Sequence, residues 1–164
     1  MKRIIIFGNS GSGKSTLARQ RSEALGCAHM DLDTVAWEAE VETPTRRSLE
    51  ASRLAILEFI DSNQNWVLEG CYADLLEVTL PFATEMVFLN PGTQTCIDNA
   101  RNRPWEAHKY STPEAQDANL EMLLDWIRDY DYRKDEFSYL AHRRLFQLFG
   151  GQKQEFHSND RSAD

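Results

Sequence analysis

The segment Gly8-Asn9-Ser10-Gly11-Ser12-Gly13-Lys14-Ser15 fills every position of the pattern G-x-x-x-x-G-K-[ST]. The chemistry such a segment offers is the holding of a phosphate chain. Its glycines let backbone amides close around an anion, and the N-terminus of a following helix aims further N–H groups at it. Lys14 would reach the outer phosphates, and the Ser15 hydroxyl would serve Mg²⁺. Thr16, one position on, is placed to meet the inner phosphate. The rival is a glycine-rich turn that binds nothing, which leaves the filled motif without a cause. No N-K-x-D or T-K-x-D occurs, so nothing selects guanine, and ATP is the expected ligand.

Carboxylates follow at the ends of apolar runs. Asp31 and Asp33 alternate after Cys27-Ala28-His29-Met30, so both can project beyond a strand's C-terminal edge, where open α/β sheets bind ligands. One could hold the metal's hydration shell, and the other could orient an acceptor hydroxyl or take its proton. Alternatively, Asp33 caps a helix and Asp31 is solvated. Glu69 follows Trp66-Val67-Leu68 and either completes the metal site or is a solvated carboxylate before a turn. Asn90 ends another run but brings no charge.

These residues need elements to carry them. Ile4-Ile5-Ile6-Phe7 is a short continuous apolar run, as in a strand covered on both faces. A helix should run from about Gly13 to Gly26, which can take the left-handed C-terminal conformation. Cys27–Met30, Trp66–Leu68, Met86–Leu89 and Gln154–His157 are the further strands expected. Thr43-Pro44 resembles a helix start, with helical spacing through Leu49, Ile56, Leu57 and Ile60 to Asp61-Ser62-Asn63. Other helices are expected over Thr93 to Arg101, around Leu120, Leu123, Leu124 and Ile127, and around Phe137, Leu140, Ala141, Leu145 and Leu148. Arg103 to Pro113 reads as loop, and Ser158 to Asp164 as a tail that frays. Alternating strands and helices imply right-handed crossovers and a parallel sheet with helices on both faces, in one α/β domain over 1–157.

Composition agrees. The 164 residues include 26 acidic and 18 basic side chains, a net charge of −8, which argues against a broad nucleic-acid surface. No apolar run approaches the roughly 20 residues of a membrane span, and the apolar run after Met1-Lys2-Arg3 stops too early at Gly8 for a signal peptide. Cys27, Cys71 and Cys96 form an odd, widely spaced set, so neither a disulfide framework nor a zinc site is suggested, and a reducing cytoplasm is the expected compartment. Monomer and homodimer both stay open.

The phosphate loop, Asp31-Leu32-Asp33, Val67-Leu68-Glu69-Gly70, Tyr132-Arg133-Lys134-Asp135-Glu136 and Arg143-Arg144-Leu145 together resemble the adenylate kinase and shikimate kinase group of P-loop kinases. Within that group the chain is most similar to bacterial FlaR-like "DNA topology modulation" P-loop proteins, over residues 1 to about 157. The resemblance implies a three-layer α-β-α P-loop NTPase fold with a five-stranded parallel sheet. It also implies an acceptor region near 34–63 and a lid-like insertion near 103–133.

It further implies that Arg133 and Arg144 match the two phosphate-clamping arginines of adenylate kinases. Arg103-Pro104 is similar to the lid Arg-Pro of shikimate kinases, and Arg101 lies where adenine stacking is expected. Arginine suits such work because it stays charged and binds phosphate bidentately. The chain departs where Glu69-Gly70-Cys71-Tyr72 replaces the Asp-Gly-Phe-Pro-Arg of adenylate kinases, and only Gly70 remains of the shikimate kinases' glycine turn, so the acceptor stays open. Trp37, Arg46, Arg47 and Arg53 could meet an acceptor or form a solvated helix face with a half-buried anchor. His108-Lys109-Tyr110 beside Trp105 could touch ligand or be an ordinary loop cluster. Cys71 has no His partner placed by sequence, so thiol chemistry is not expected. The combined expectation is an Mg²⁺–ATP-dependent kinase of an unidentified small molecule or nucleoside monophosphate. The rival is a regulatory ATPase acting on a macromolecular partner.

Overall fold

A computed structural model describes residues 1–39, 43–107 and 109–161. Strands β1 (Arg3–Gly8), β2 (Ala28–Asp31), β3 (Trp66–Gly70), β4 (Glu85–Leu89) and β5 (Gln152–Phe156) form one parallel sheet in the order β2-β3-β1-β4-β5. β1 is apolar without a break because both its faces are covered. Ile5 and Phe7 join Trp66, Leu68, Met86 and Phe88 on one face, while Ile4 and Ile6 join Val67, Val87 and Leu89 on the other.

Helix α1 (Lys14–Leu25) covers the second face with Leu17 and Ala18. The first face is closed by α2 (Asp33–Ala36), α3 (Leu49–Ser62), α4 (Ala73–Thr79) and α7 (Tyr139–Leu148), through Val35, Ile56, Ile60, Leu75, Leu76 and Leu145. α5 (Thr93–Arg101) and α6 (Pro113–Arg128) pair through Cys96, Ile97, Ala100, Leu124 and Ile127. This is the expected α/β architecture of a five-stranded parallel sheet between helices. Much of the lid-like stretch 103–133 is therefore α6, packed on α5, which leaves 103–112 as the loop. Among the described residues no helix is long and apolar enough to cross a membrane.

Two expectations need correction. The helix expected from Thr43-Pro44 begins at Leu49, with the Ser48 hydroxyl accepting from the Ala51 N–H. The backbone before it is already used in an antiparallel ladder, where Glu38 N–H donates to Thr45 O and Arg47 N–H to Ala36 O, so it cannot coil. The short helices α2 and α4 were not expected, since so few residues show no clear helical period. Within the stretch expected as a tail from Ser158, Asn99 and Asn159 exchange side-chain amide hydrogen bonds of 3.0 and 2.8 Å, and Arg161 Nη2 donates to Ser12 O at 3.1 Å. Residues 162–164 of that tail lie outside the described residues.

One buried polar tie fixes the end of β3. His142 on α7 is fully buried, with one ring nitrogen 2.8 Å from the Tyr130 hydroxyl and the other 2.8 Å from Cys71 O. Burial lowers its pKa to about 4, so the ring is neutral near pH 7.

Candidate functional site

The loop between β1 and α1 has the backbone its sequence demands. A Cβ on Gly8 would stand 2.2 Å from Leu89 O, and Gly11 has φ +76° with Cys96 O only 2.4 Å from where its Cβ would be. Side chains are excluded there, and the backbone comes close to its neighbours. Helix α1 starts at Gly13 with no side-chain cap, whereas Ser48, Thr112 and Ser138 cap α3, α6 and α7. Its first N–H groups are left for an anion. Lys14 Nζ folds over the loop and donates to Asn9 O at 2.8 Å. The Ser12 hydroxyl is buried without a partner.

The sheet register brings the carboxylates beside this loop, because Asp31 on β2 pairs with Glu69 on β3, and Glu69 pairs with Ile6 on β1. Asp33 opens α2, and its N–H donates to Asp31 Oδ1 at 2.9 Å. Burial and then the neighbouring Asp33 charge raise the Asp31 pKa. Glu69 is 1% exposed; burial first, and then Asp31, push it up to about 7, against the pull of Lys14 and a hydrogen bond from Ser15. Its Oε1 is buried with no hydrogen-bond partner, and His29 Nε2 lies 3.8 Å away. A buried unpartnered carboxylate oxygen beside a lysine and a hydroxyl is a donor set that suits a hard divalent cation. Among the described residues no group of three or more His, Cys, Asp or Glu side chains is arranged to hold a metal ion by itself. Mg²⁺ commonly uses one or two carboxylates and takes its remaining ligands from phosphates and water.

A cavity of about 170 Å³ opens on the same groups. Ser10, Lys14, Ser15, Asp31, Asp33, Glu69 and Lys109 line it, with Trp37, Tyr72, Trp126 and Phe137 as aromatic walls. The Tyr72 hydroxyl donates to Asp33 Oδ1 and accepts from Trp37 Nε1 at 2.8 Å. Across the cavity, Lys109 Nζ lies 3.4 Å from Asp33 Oδ2 and 3.7 Å from Glu106 Oε1. Burial alone would lower the Lys109 pKa, but Asp33, Glu106 and Asp31 together raise it, so it stays an ammonium. Cys71 also lines the cavity, and burial raises its thiol to about 12, which leaves it unreactive.

The arginines are dispersed. Arg103 pairs with Glu106 at 2.8 Å and lines a second cavity of about 370 Å³ with Gly11, Gly13, Thr16, Asn99 and Arg161. Arg101 is exposed on a small hollow with Tyr110 and Leu123. Arg133 lies 3.4 Å above the Trp126 ring centre and pairs with Asp135 at 2.9 Å, with its Nη1 buried and unpartnered. Arg144 is exposed in a separate groove of about 470 Å³ between α4 and α7 and is not brought to the phosphate loop. Arg46 is held 3.1 Å from both Asp74 and Glu136, under the Tyr72 ring at 4.9 Å, which makes it a strut of the aromatic wall. Arg53 faces Glu50 on the exposed side of α3.

Sequence reasoning missed Tyr72 and Arg161 and left Lys109 undecided. Arg161 carries no local signal, and Tyr72 stood out only as a departure from a pattern. His108, named with Lys109, lies outside the described residues.

Comparisons with known proteins bear on the fold and family. A family model described as an AAA domain matches residues 4–121. The uncharacterized protein YqaC of Bacillus subtilis (strain 168) is 26% identical over 136 residues, covering 79% of this chain and 73% of that protein. A shikimate kinase from Bacteroides thetaiotaomicron superposes with a TM-score of 0.56 at 20% identity, covering 98% of this chain and 90% of its own. A sugar kinase from Janibacter sp. HTCC2649 gives 0.53 at 12% identity, covering 95% and 84%. At these identities the likeness is one of fold.

Proposed function

The chain belongs to the AAA domain family, and from that premise we propose that it is an Mg²⁺–ATP-dependent phosphotransferase acting on a small acceptor. One observation carries the reading. Ser10, Lys14 and Ser15 of the phosphate loop and the carboxylates Asp31, Asp33 and Glu69 open on one cavity, whose far side is aromatic and is crossed by Lys109. A molecule that only held nucleotide would have no use for a second, walled compartment against the outer phosphates.

In this reading the amides of Gly8, Gly11, Ser12 and Gly13 and the start of α1 hold the phosphates, and Lys14 sits against the outer ones. Ser15, Asp31 and Glu69 would hold Mg²⁺, whose charge would offset that of the phosphates. Asp33 orients the acceptor hydroxyl and takes its proton, while Lys109 neutralises charge from the lid side. Thr16 and Arg103 belong to the second cavity, the nucleoside half of the site. Arg101 borders that half, and Arg133 backs the acceptor wall through Trp126. Arg144 takes no part. Of the acceptor region expected near 34–63 only Trp37 lines this compartment, whose other walls come from 31–33, 69–72, 126 and 137, while Lys109 and Trp126 come from the lid-like stretch 103–133.

Release of ADP from Mg–ATP across a panel of hydroxylated metabolites and nucleoside monophosphates tests the reading, with Lys14→Ala as control. We expect Lys14→Ala to lose at least about 100-fold in turnover, as for a preorganised transition-state donor, with circular dichroism and melting unchanged. Undiminished turnover in folded Lys14→Ala overturns the assignment.

A further inference from the structure

We propose that the acceptor is an uncharged, hydroxyl-rich compound of monosaccharide size, an inference that rests on the phosphotransferase reading above. The charges around the cavity carry it. Its lining holds the carboxylates of Asp31, Asp33 and Glu69 against the ammonium groups of Lys14 and Lys109. Lys14 belongs to the triphosphate, and Lys109 already faces Asp33 and Glu106. The arginines behind the aromatic wall are already ion-paired, Arg46 with Asp74 and Glu136, and Arg133 with Asp135, though Arg46 Nε and Arg133 Nη1 lack hydrogen-bond partners, and neither arginine lines the cavity.

With Asp31 and Glu69 given to Mg²⁺, an acceptor bearing a phosphate or carboxylate would therefore meet Asp33 with no uncommitted cation among the described lining residues. Like charges at such a site cost affinity and act as a filter. A neutral alcohol meets no such cost. Its hydroxyls find Asp33 and the Tyr72 oxygen, and its C–H faces pack on Trp37, Tyr72 and Phe137.

Size points the same way. The cavity of about 170 Å³ must also admit the phosphoryl group at Lys14 and Ser15. It is smaller than the roughly 300–1,000 Å³ of pockets for drug-sized ligands, which favours a compact acceptor. The transfer balances simply. The acceptor oxygen forms a bond to the terminal phosphorus as the bond from that phosphorus to the bridging oxygen breaks. The electron pair leaves on ADP, and the hydroxyl proton passes to Asp33 and then to water.

The test compares matched neutral and anionic compounds on the full chain: D-glucose with D-gluconate, D-ribose with ribose 5-phosphate, adenosine with AMP, and myo-inositol and glycerol alone. ADP release is measured with phosphorus NMR of the product, and ATP binding is followed separately by calorimetry. We expect a sugar or polyol to exceed its anionic counterpart by about tenfold or more in kcat/KM, a difference of about 1.4 kcal/mol. A phosphomonoester should form in step with ADP. Asp33→Asn should cut that turnover by about 100-fold, with ATP affinity within about threefold. Preference for AMP, gluconate, ribose 5-phosphate or adenosine overturns the proposal, and so does Lys14-dependent hydrolysis that no neutral compound raises. Failure of ATP to bind, or binding insensitive to Lys14→Ala, would instead remove the phosphotransferase reading beneath it.

Discussion

Lys109 shows how one side chain can take its meaning from distant partners. It sits in a polar loop, yet its ammonium crosses to Asp33 at 3.4 Å and forms one side of the acceptor cavity. Asp33 also accepts from Tyr72, so it does not depend on Lys109 for its position. Removing Lys109 therefore strips charge from the cavity without unmaking it. Lys109→Ala should lower kcat for ADP release with the accepted compound by about 10- to 100-fold, within the range of one electrostatic donor. ATP affinity by calorimetry and the melting temperature should barely move, and Lys109→Arg should recover part of the rate. A melting loss as large as the activity loss would make Lys109 a structural brace and not part of the chemistry.

At the scale of elements, β1, β3 and β4 were legible because each is a short apolar run bounded by polar residues or glycine, and the sheet buries both their faces, whereas the edge strand β5 is mostly polar. The phosphate loop was legible because it is local: eight consecutive residues fix its backbone and its lysine. Arg46 was not legible as a strut, since its carboxylates lie 28 and 90 positions away and only the packing of α4 and the segment before α7 joins them. The docking of Arg161 on Ser12, 149 positions apart, was hidden for the same reason.

Helix α7 gives a test at this scale. Ser138 is 1% exposed and its Oγ accepts from Ala141 N–H at 3.0 Å, so it caps the helix that carries His142 against Cys71 O. Ser138→Ala should cost about 1 kcal/mol, or about 2–4 °C in melting for a chain of this length. Ser138→Asp should restore most of it. Urea and thermal unfolding of both variants check the pair.

For the whole molecule, two buried titrating groups oppose one another. Glu69 is raised to about 7 by burial and then by Asp31, so the folded state keeps a proton that the unfolded chain gives up above about 4.5. Its contribution is fully present below the unfolded value and is lost as pH rises through about 7. His142 is lowered from 6.5 to about 4 by burial, so its contribution stands above 6.5 and is lost as pH falls through about 4. Each separation corresponds to about 3 kcal/mol at most, at roughly 1.4 kcal/mol per tenfold. Between about pH 4.5 and 6.5 the two slopes have opposite sign and similar size, so these two groups together add little pH dependence to the protein free of nucleotide and metal. Glu69→Gln removes one slope and leaves the other. That variant should lose about 2–3 kcal/mol of unfolding free energy from pH 6.5 to 4.5, and above pH 7 it should exceed the parent, because the amide carries no charge to bury. Urea unfolding of both proteins at closely spaced pH values decides the matter. Parallel curves would mean that Glu69 ionises in the fold as freely as in the unfolded chain, and that its side chain is not the buried, unpartnered carboxylate on which the metal site depends.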